Sequence, residues 1–316
     1  MSLFIRQPTP LCRLCQSRAF STSYRRLAEQ VAKSNPKPPA PKVVPPSPLA
    51  DAPRSYGKRV EEFTPTPLSR PIGLPYPPQA GQNTGIDLRT LKQRRDDFVN
   101  YDKHLERREY LKNKISRPYF RDWGNLQFHK GKTFIAPPRL FMGDLSLFFP
   151  NLYGRTLLKT DKEPRDTTPV LRGRVSIVSV FSSLWAENQC NTFMSKESNP
   201  AVEQIIAESG DRAQHVRVNI EEDPMKAFLV RLWIGKLRRQ VGEGNHERYF
   251  LIRKGVSDEI RENIGLLNSK VGYTYLLDPD CRIRWAGSGP SEDHEREGLV
   301  KGLQRLLLEG NADTKK

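Results

Sequence analysis

The run Val175-Ser-Ile-Val-Ser-Val-Phe181 constrains the fold more than any other stretch of the chain. Rich in Val and Ile, it reads as a central strand covered on both faces, and a strand of that kind belongs to a layered α/β domain. The residues after it alternate in type. Asn199-Pro200 opens a helix with Val202, Ile205 and Ile206 on one face, ending at Gly210. His215–Ile220 alternates as a strand. Asp223-Pro224 starts a second helix, whose apolar residues are read as Phe228, Leu229, Leu232, Trp233 and Leu237. Tyr249–Ile252 is a strand, Ser257–Ile264 a short helix and Tyr273–Leu277 another strand. Asp278-Pro279-Asp280 turns the chain into Arg282–Ala286, and Ser291 caps a last helix bearing Leu299, Val300, Leu303, Leu306 and Leu307.

That order, βαβα followed by a strand, a short helix, a hairpin and a terminal helix, is the order of a thioredoxin-like domain, placed at 165–310. The redox parts of such a domain are missing. A catalytic thiolate follows the first central strand at a helix N-terminus, with a second Cys two residues on. Here the stretch is Ser182-Ser-Leu-Trp-Ala-Glu-Asn-Gln-Cys190. Cys190 has no C-x-x-C partner, and Glu187 beside it would raise a thiol pKa. The stretch Lys270-Val-Gly-Tyr-Thr274, where these folds carry a cis-proline, has no proline. Cys190 is therefore read as a small semi-buried residue. Cys281 is read as a tolerated substitution in a turn where glycine is common. His104, His129, His215, His246 and His294 lack metal-ligand spacing, and no cofactor is expected.

Ahead of this domain the chain is basic: of a formal net charge of +16, +15 lies in residues 1–164. Residues 1–28 contain five Arg, several Ser and Thr and no acid, the composition of a mitochondrial transit peptide. Cys12-Arg-Leu-Cys15 falls inside it and carries little metal or redox weight. Fourteen prolines between Pro36 and Pro78 make 29–85 read as a disordered Pro-rich linker. Residues 86–118 read as one basic amphipathic helix with Leu88, Leu91, Phe98, Val99, Leu105 and Leu111 recurring at three- and four-residue intervals and Asp87 as cap. It either docks through that stripe or lies on a membrane or on RNA. Residues 119–164 form an aromatic and basic connector, and 311–316 a tail. No window approaches the ~18 apolar residues of a membrane helix, so the protein is expected to be soluble or peripheral to a membrane.

Three segments carry a resemblance: Lys130-Gly-Lys-Thr-Phe-Ile-Ala-Pro-Pro138, Leu147-Phe-Phe-Pro-Asn-Leu-Tyr-Gly154, and Gly272-Tyr-Thr-Tyr-Leu-Leu-Asp278 with Ile283-Arg-Trp-Ala-Gly-Ser-Gly289. Over roughly 117–308 the chain resembles the fungal mitochondrial ATP synthase assembly factor family that chaperones Fo subunit 6, the a subunit. The resemblance implies a non-enzymatic, matrix-side protein at the inner membrane. Its implied partners are newly made subunit 6, the c-ring with which that subunit assembles, and the membrane surface, with no nucleic acid. The family supplies no catalytic residues to carry over. Composition offers Lys130, Lys132, Phe148, Phe149, Pro150, Asn151, Arg284, Trp285, Gly287 and Gly289 as contacts for client or membrane, each of which could instead pack or form a turn. Two other readings stay open: a single-Cys thiol enzyme using Cys190, and an RNA-binding accessory protein of the mitochondrial ribosome, drawn from the basic, aromatic residues 86–159.

Overall fold

In the computed structural model the described residues are 47–55, 60–115, 120–161 and 163–313. The transit peptide, the first part of the linker, Cys12, Cys15 and residues 314–316 lie outside them. Pro48–Lys316 form one compact unit. Its elements are α1 (Leu91–Val99), α2 (Tyr101–Ile115), α3 (Arg121–Gly124), β1 (Tyr153–Thr156), β2 (Arg165–Asp166), α4 (Thr168–Leu171), β3 (Val175–Phe181), α5 (Leu184–Met194) and α6 (Pro200–Ser209). There follow β4 (Ala213–Ile220), α7 (Pro224–Leu232), α8 (Ile234–Val241), β5 (Tyr249–Ile252), α9 (Asp258–Asn263), β6 (Tyr273–Leu277), β7 (Ile283–Ser288) and α10 (Asp293–Asp313).

The strands form one sheet in the order β2-β1-β5-β4-β3-β6-β7. β3, β4 and β5 are parallel, with Val175 opposite Ala213 and Ile220 opposite Ile252. β6 runs antiparallel to β3, and β7 to β6. As the Val-rich run requires, every residue of β3 is buried. Alternation then divides its side chains between two cores. Ile177 faces Phe193 of α5, Val202 of α6, Trp285 and Leu299 and Leu303 of α10, while Phe181 faces Ala186, Cys190 and Val241. Val178 and Val180 face the other way, with Val216, Val218, Phe250, Tyr273 and Tyr275.

That second face corrects the reading of 29–85 as a free tether. Residues 48–55 and 60–80 lie across it as a strap, with Leu49, Ala52, Leu68 and Ile72 buried beside Phe134, Phe149 and Ile264. The strap is held by backbone bonds: Leu68 N to Ile135 O at 3.1 Å, Ile135 N to Thr66 O at 3.0 Å, and the pair between Leu74 and Phe148, each 2.8 Å. Proline removes a donor and fixes an extended backbone, but it leaves every carbonyl and every intervening apolar side chain free to pair and pack. The connector is likewise part of the body. β1 adds to the sheet through β5, so the thioredoxin-like body begins before residue 165.

The expectations for the basic segment change as well. The basic segment is two helices, because Asn100 leaves the helical conformation (φ −69°, ψ 117°) and its Oδ1 accepts from Asp102 N to start α2. Thr90, in a reciprocal box with Gln93, caps α1, whereas Asp87 is engaged by Arg89 at 2.8 Å. The stripe does not dock: Leu88, Leu91, Phe98 and Val99 are exposed, and α1 has no buried residue. Cys281 is fully buried at φ +66°, the left-handed conformation that glycine favours.

Candidate functional site

Cys190 lies on the sheet-facing side of α5 and not in the loop before it. The helix N-terminus, where a redox thiolate would be stabilised, is capped by Ser183, whose Oγ accepts from Ala186 N at 3.2 Å. The Cys190 Sγ points at the carbonyl oxygens of Tyr273 and Val180, 3.5 and 3.8 Å away. Burial, with Glu187 adding to it, pushes this thiol up to about 12. Burial does the same to Cys281. Opposite Cys190 stands Gly272, whose N donates to Gln189 Oε1 at 2.9 Å. A Cβ there would lie 2.2 Å from Ala186 O and 2.8 Å from Cys190 Sγ, so the strand backbone presses directly on the helix. No peptide bond among the described residues is cis.

A thiol held protonated under a helix is no nucleophile at neutral pH. A thiol reagent at pH 7 is expected to modify neither Cys190 nor Cys281 in the folded protein, while the denatured chain reacts fully; mass spectrometry of the labelled protein reads this. Cys190→Ala should cost only ~1–2 kcal/mol of stability, measured by urea unfolding. Both folded-state thiols titrate above the unfolded value of 9.0, so their burial contributes stability that is intact below pH 9 and lost as the pH rises toward about 12.

At the C-terminal ends of β3 and β4 a cleft of about 270 Å³ is bordered by Trp123, Ser182, Glu222, Arg261, Ser269 and Lys270. Its charges are mutually engaged. Arg261 pairs with Glu222 at 2.8 Å, Asp122 accepts from the Ser269 hydroxyl at 2.5 Å, and Lys270 stands 5.6 Å from the Trp123 ring centre. His215 is also a packing residue: its Nε2 meets Ser179 Oγ at 2.9 Å, and burial lowers its pKa to about 3. No cluster of three potential metal ligands occurs among the described residues.

Among the described residues a second exposed apolar surface lies on α7 and the start of α8. Ala227, Val230, Ile234, Leu237 and Val241 recur at spacings of three and four, and this stripe faces the sheet. Ala227, Val230 and Ile234 border a cavity of about 460 Å³ against β1 and β5. A second stripe, Met225, Phe228, Leu229 and Leu232 with Trp233, faces outward at 76, 61, 49, 63 and 63% exposure. The helix is thus apolar on two sides, which a surface helix with a single buried stripe is not. Of the apolar residues that the sequence assigns to this helix, Phe228, Leu229, Leu232 and Trp233 are exposed and only Leu237 packs inward. The 3,4,3,4 spacing through Val241 was the signal that separates the stripes.

The residues that composition singled out as contacts converge, but on an interior seam between connector and hairpin. Lys132 is buried with its Nζ 2.6 Å from Glu295 Oε2 and 3.0 Å from Pro290 O. Phe149 is fully buried against Tyr275, ring centres 5.5 Å apart, and Pro150 is buried beside it. Asn151 donates to Gln82 O and Asp166 Oδ1 and accepts from Thr168, so its amide is engaged on both sides. Arg284 donates to Phe141 O at 2.8 Å and pairs with Glu309 at 3.2 Å. Trp285 is buried, its Nε1 donating to Pro137 O at 3.0 Å. Gly287 leaves room for the Phe193 ring, and Gly289, at φ +65°, for Lys132. Only Lys130 is exposed, and Phe148 is half-buried under the Arg282 guanidinium at 5.3 Å. Lys132, Phe149, Pro150, Asn151, Arg284 and Trp285 thus pack in the interior, whereas Lys130 and part of Phe148 reach the surface.

Strand order, the β6–β7 hairpin and the closing helix define a thioredoxin-like protein in which the helix after β3 is capped by Ser183. The chain belongs to the ATP10 family, whose family model, described as ATP10 protein, matches residues 54–306. A protein of Eremothecium gossypii named mitochondrial ATPase complex subunit ATP10 is 31% identical over 242 residues, 75% of this chain and 85% of that one. The Saccharomyces cerevisiae protein of the same name is 27% identical over 257 residues, 78% and 88% of the two chains. Among solved structures, a secreted thiol-disulfide isomerase from Corynebacterium glutamicum is similar at 10% identity and a TM-score of 0.36, covering 53% of this chain and 90% of that one.

Proposed function

We propose that this chain is a non-enzymatic assembly factor of the mitochondrial F1Fo ATP synthase. It acts at the matrix side of the inner membrane, binds newly made Fo subunit 6 and promotes its assembly with the c-ring. The observation that carries the reading is membership of the ATP10 family, whose relatives are named as subunits of the mitochondrial ATPase complex. Two features support a binding role over a catalytic one: the buried, protonated Cys190 and the outward apolar stripe of α7. A helix apolar on both sides holds an uncovered surface suited to binding rather than to catalysis. Among the described residues no helix is long and apolar enough to cross a membrane, which accords with a peripheral position.

The test is brief radioactive labelling of mitochondrial translation products, gentle detergent extraction and recovery on the tagged protein. Subunit 6 is expected to be enriched over the other products, with or without nuclease and equally in Cys190→Ala. Recovery of every product or of ribosomal RNA in a nuclease-sensitive manner would put a ribosomal accessory role in its place. Loss of capture in Cys190→Ala, with folding retained, would return the chemistry to the thiol.

A further inference from the structure

We infer that α7 and the start of α8 form a docking element for an anionic lipid surface, with the outward stripe of α7 entering the headgroup layer and the neighbouring cations meeting lipid phosphates. Only the identity of the membrane rests on the assembly reading above.

Two observations carry it together. The first is the stripe: Met225, Phe228, Leu229 and Leu232 lie at i, i+3, i+4 and i+7 and are exposed, and Trp233 continues them at the joint where α7 ends and α8 begins. Trp suits that joint, since an indole places an apolar body and a polar N–H across a membrane interface. The second is charge. From Pro224 to Val241 the sequence has five Lys and Arg and no Asp or Glu. Of these, Arg231, Lys236 and Arg239 are exposed. Three acids, Glu221, Glu222 and Asp223, precede the helix, but along and after it the charge is of one sign, and an apolar stripe beside such cations is the pattern of a helix lying in a bilayer interface.

The charge also chooses between occupants. A second copy seated stripe to stripe about a two-fold axis would set these cations against their own equivalents. A neutral apolar client segment would cover the stripe and leave the cations unmatched. An anionic bilayer satisfies both at once. The α1–α2 pair also exposes apolar residues, but its Arg89, Arg94 and Lys103 are engaged by Asp87 and Asp97. These three of its cations are thus already matched, while Lys92, Arg107, Arg108 and Lys112 are exposed.

The experiment is flotation of the full chain with vesicles of phosphatidylcholine, with and without phosphatidylglycerol, and no client present. The protein is expected to float with the anionic vesicles and to be released by salt. Phe228→Asp/Leu232→Asp and Lys236→Glu/Arg239→Glu should each weaken binding about tenfold or more, with the urea midpoint unchanged because all four side chains are exposed. Phe98→Asp in α1 should bind as the unaltered chain. With bromine-bearing lipid, quenching of tryptophan fluorescence should fall in Trp233→Phe. Equal binding to neutral vesicles, undiminished binding of Phe228→Asp/Leu232→Asp, or loss of binding in Phe98→Asp would each overturn the inference. So would a concentration-dependent dimer, abolished by Phe228→Asp/Leu232→Asp, in a chain that does not float. Since capture of labelled subunit 6 is made in detergent and flotation without any client, either result can fail while the other stands.

Discussion

Lys132→Met is expected to lower the free energy of unfolding by about 3–5 kcal/mol, because it strands a buried carboxylate. The Lys132 and Glu295 side chains are 4% and 0% exposed, and their 2.6 Å contact joins the segment entering the strap-covered face to the first turn of α10. Glu295 has two other partners: its Oε1 accepts from Ala136 N at 2.8 Å and its Oε2 from Glu292 N at 2.9 Å. Those amides orient the carboxylate but carry no charge. With the ammonium gone the buried carboxylate has no counter-charge, which lowers stability. Urea unfolding of Lys132→Met beside Lys132→Met/Glu295→Met measures this. The double variant should recover part of the loss, since it removes the stranded charge along with its partner. A loss under about 1 kcal/mol in the single variant would mean that the pair behaves as a solvated surface bridge. Because Lys132 works in the interior, client capture at a temperature where the variant is folded should be unchanged.

Lys132 also marks where sequence reasoning stopped. The Val-rich strand, the Asn199-Pro200 helix start and the β6–β7 hairpin were legible because each depends on neighbours a few residues away, through periodicity, a fixed proline φ or a turn. The partner of Lys132 is 163 residues distant, and Asn151 is satisfied by a carbonyl 69 residues back. No local pattern reports such pairs. Trp285 and Phe149 looked like contact residues because the motifs around them are rich in aromatic residues and glycine, and dense interiors use those same types for packing. On α7 the apolar residues were seen, yet their total hides two stripes, and only the spacing through Val241 tells which one the sheet takes. The sequence itself lacks a Cys two residues from Cys190 and a proline in 270–274, which is why Cys190 was read as a small semi-buried residue.

The strap, misread for its prolines, carries the other large expected effect. Leu49→Ala, Leu68→Ala and Ile72→Ala should each cost roughly 2–5 kcal/mol, because each side chain is almost wholly buried in a core that cannot close over the gap. The packing there is tight. A Cβ built on Gly265 would meet Leu49 Cδ1 at 2.9 Å, Phe134 Cε1 at 3.2 Å and Ile72 Cδ1 at 3.3 Å, so strap, connector and the residues after α9 interlock at one point. Taken together the three substitutions approach the whole stability of a typical domain, about 5–15 kcal/mol. The triple variant is therefore expected to lose its cooperative urea transition, and deletion of 48–80 to leave an insoluble chain. Phe228→Ala, by contrast, should leave the midpoint in place because that ring is solvent-exposed. Cooperative unfolding of the triple variant near the unaltered midpoint would show that the strap is the loose tether its composition suggested. The difference matters for how the protein meets its partners. With the strap packed, the Val178 and Val180 face of the sheet is closed by the chain itself, whereas none of the described residues covers the outer stripe of α7. A body whose second sheet face is sealed from within can present one apolar surface without exposing its core.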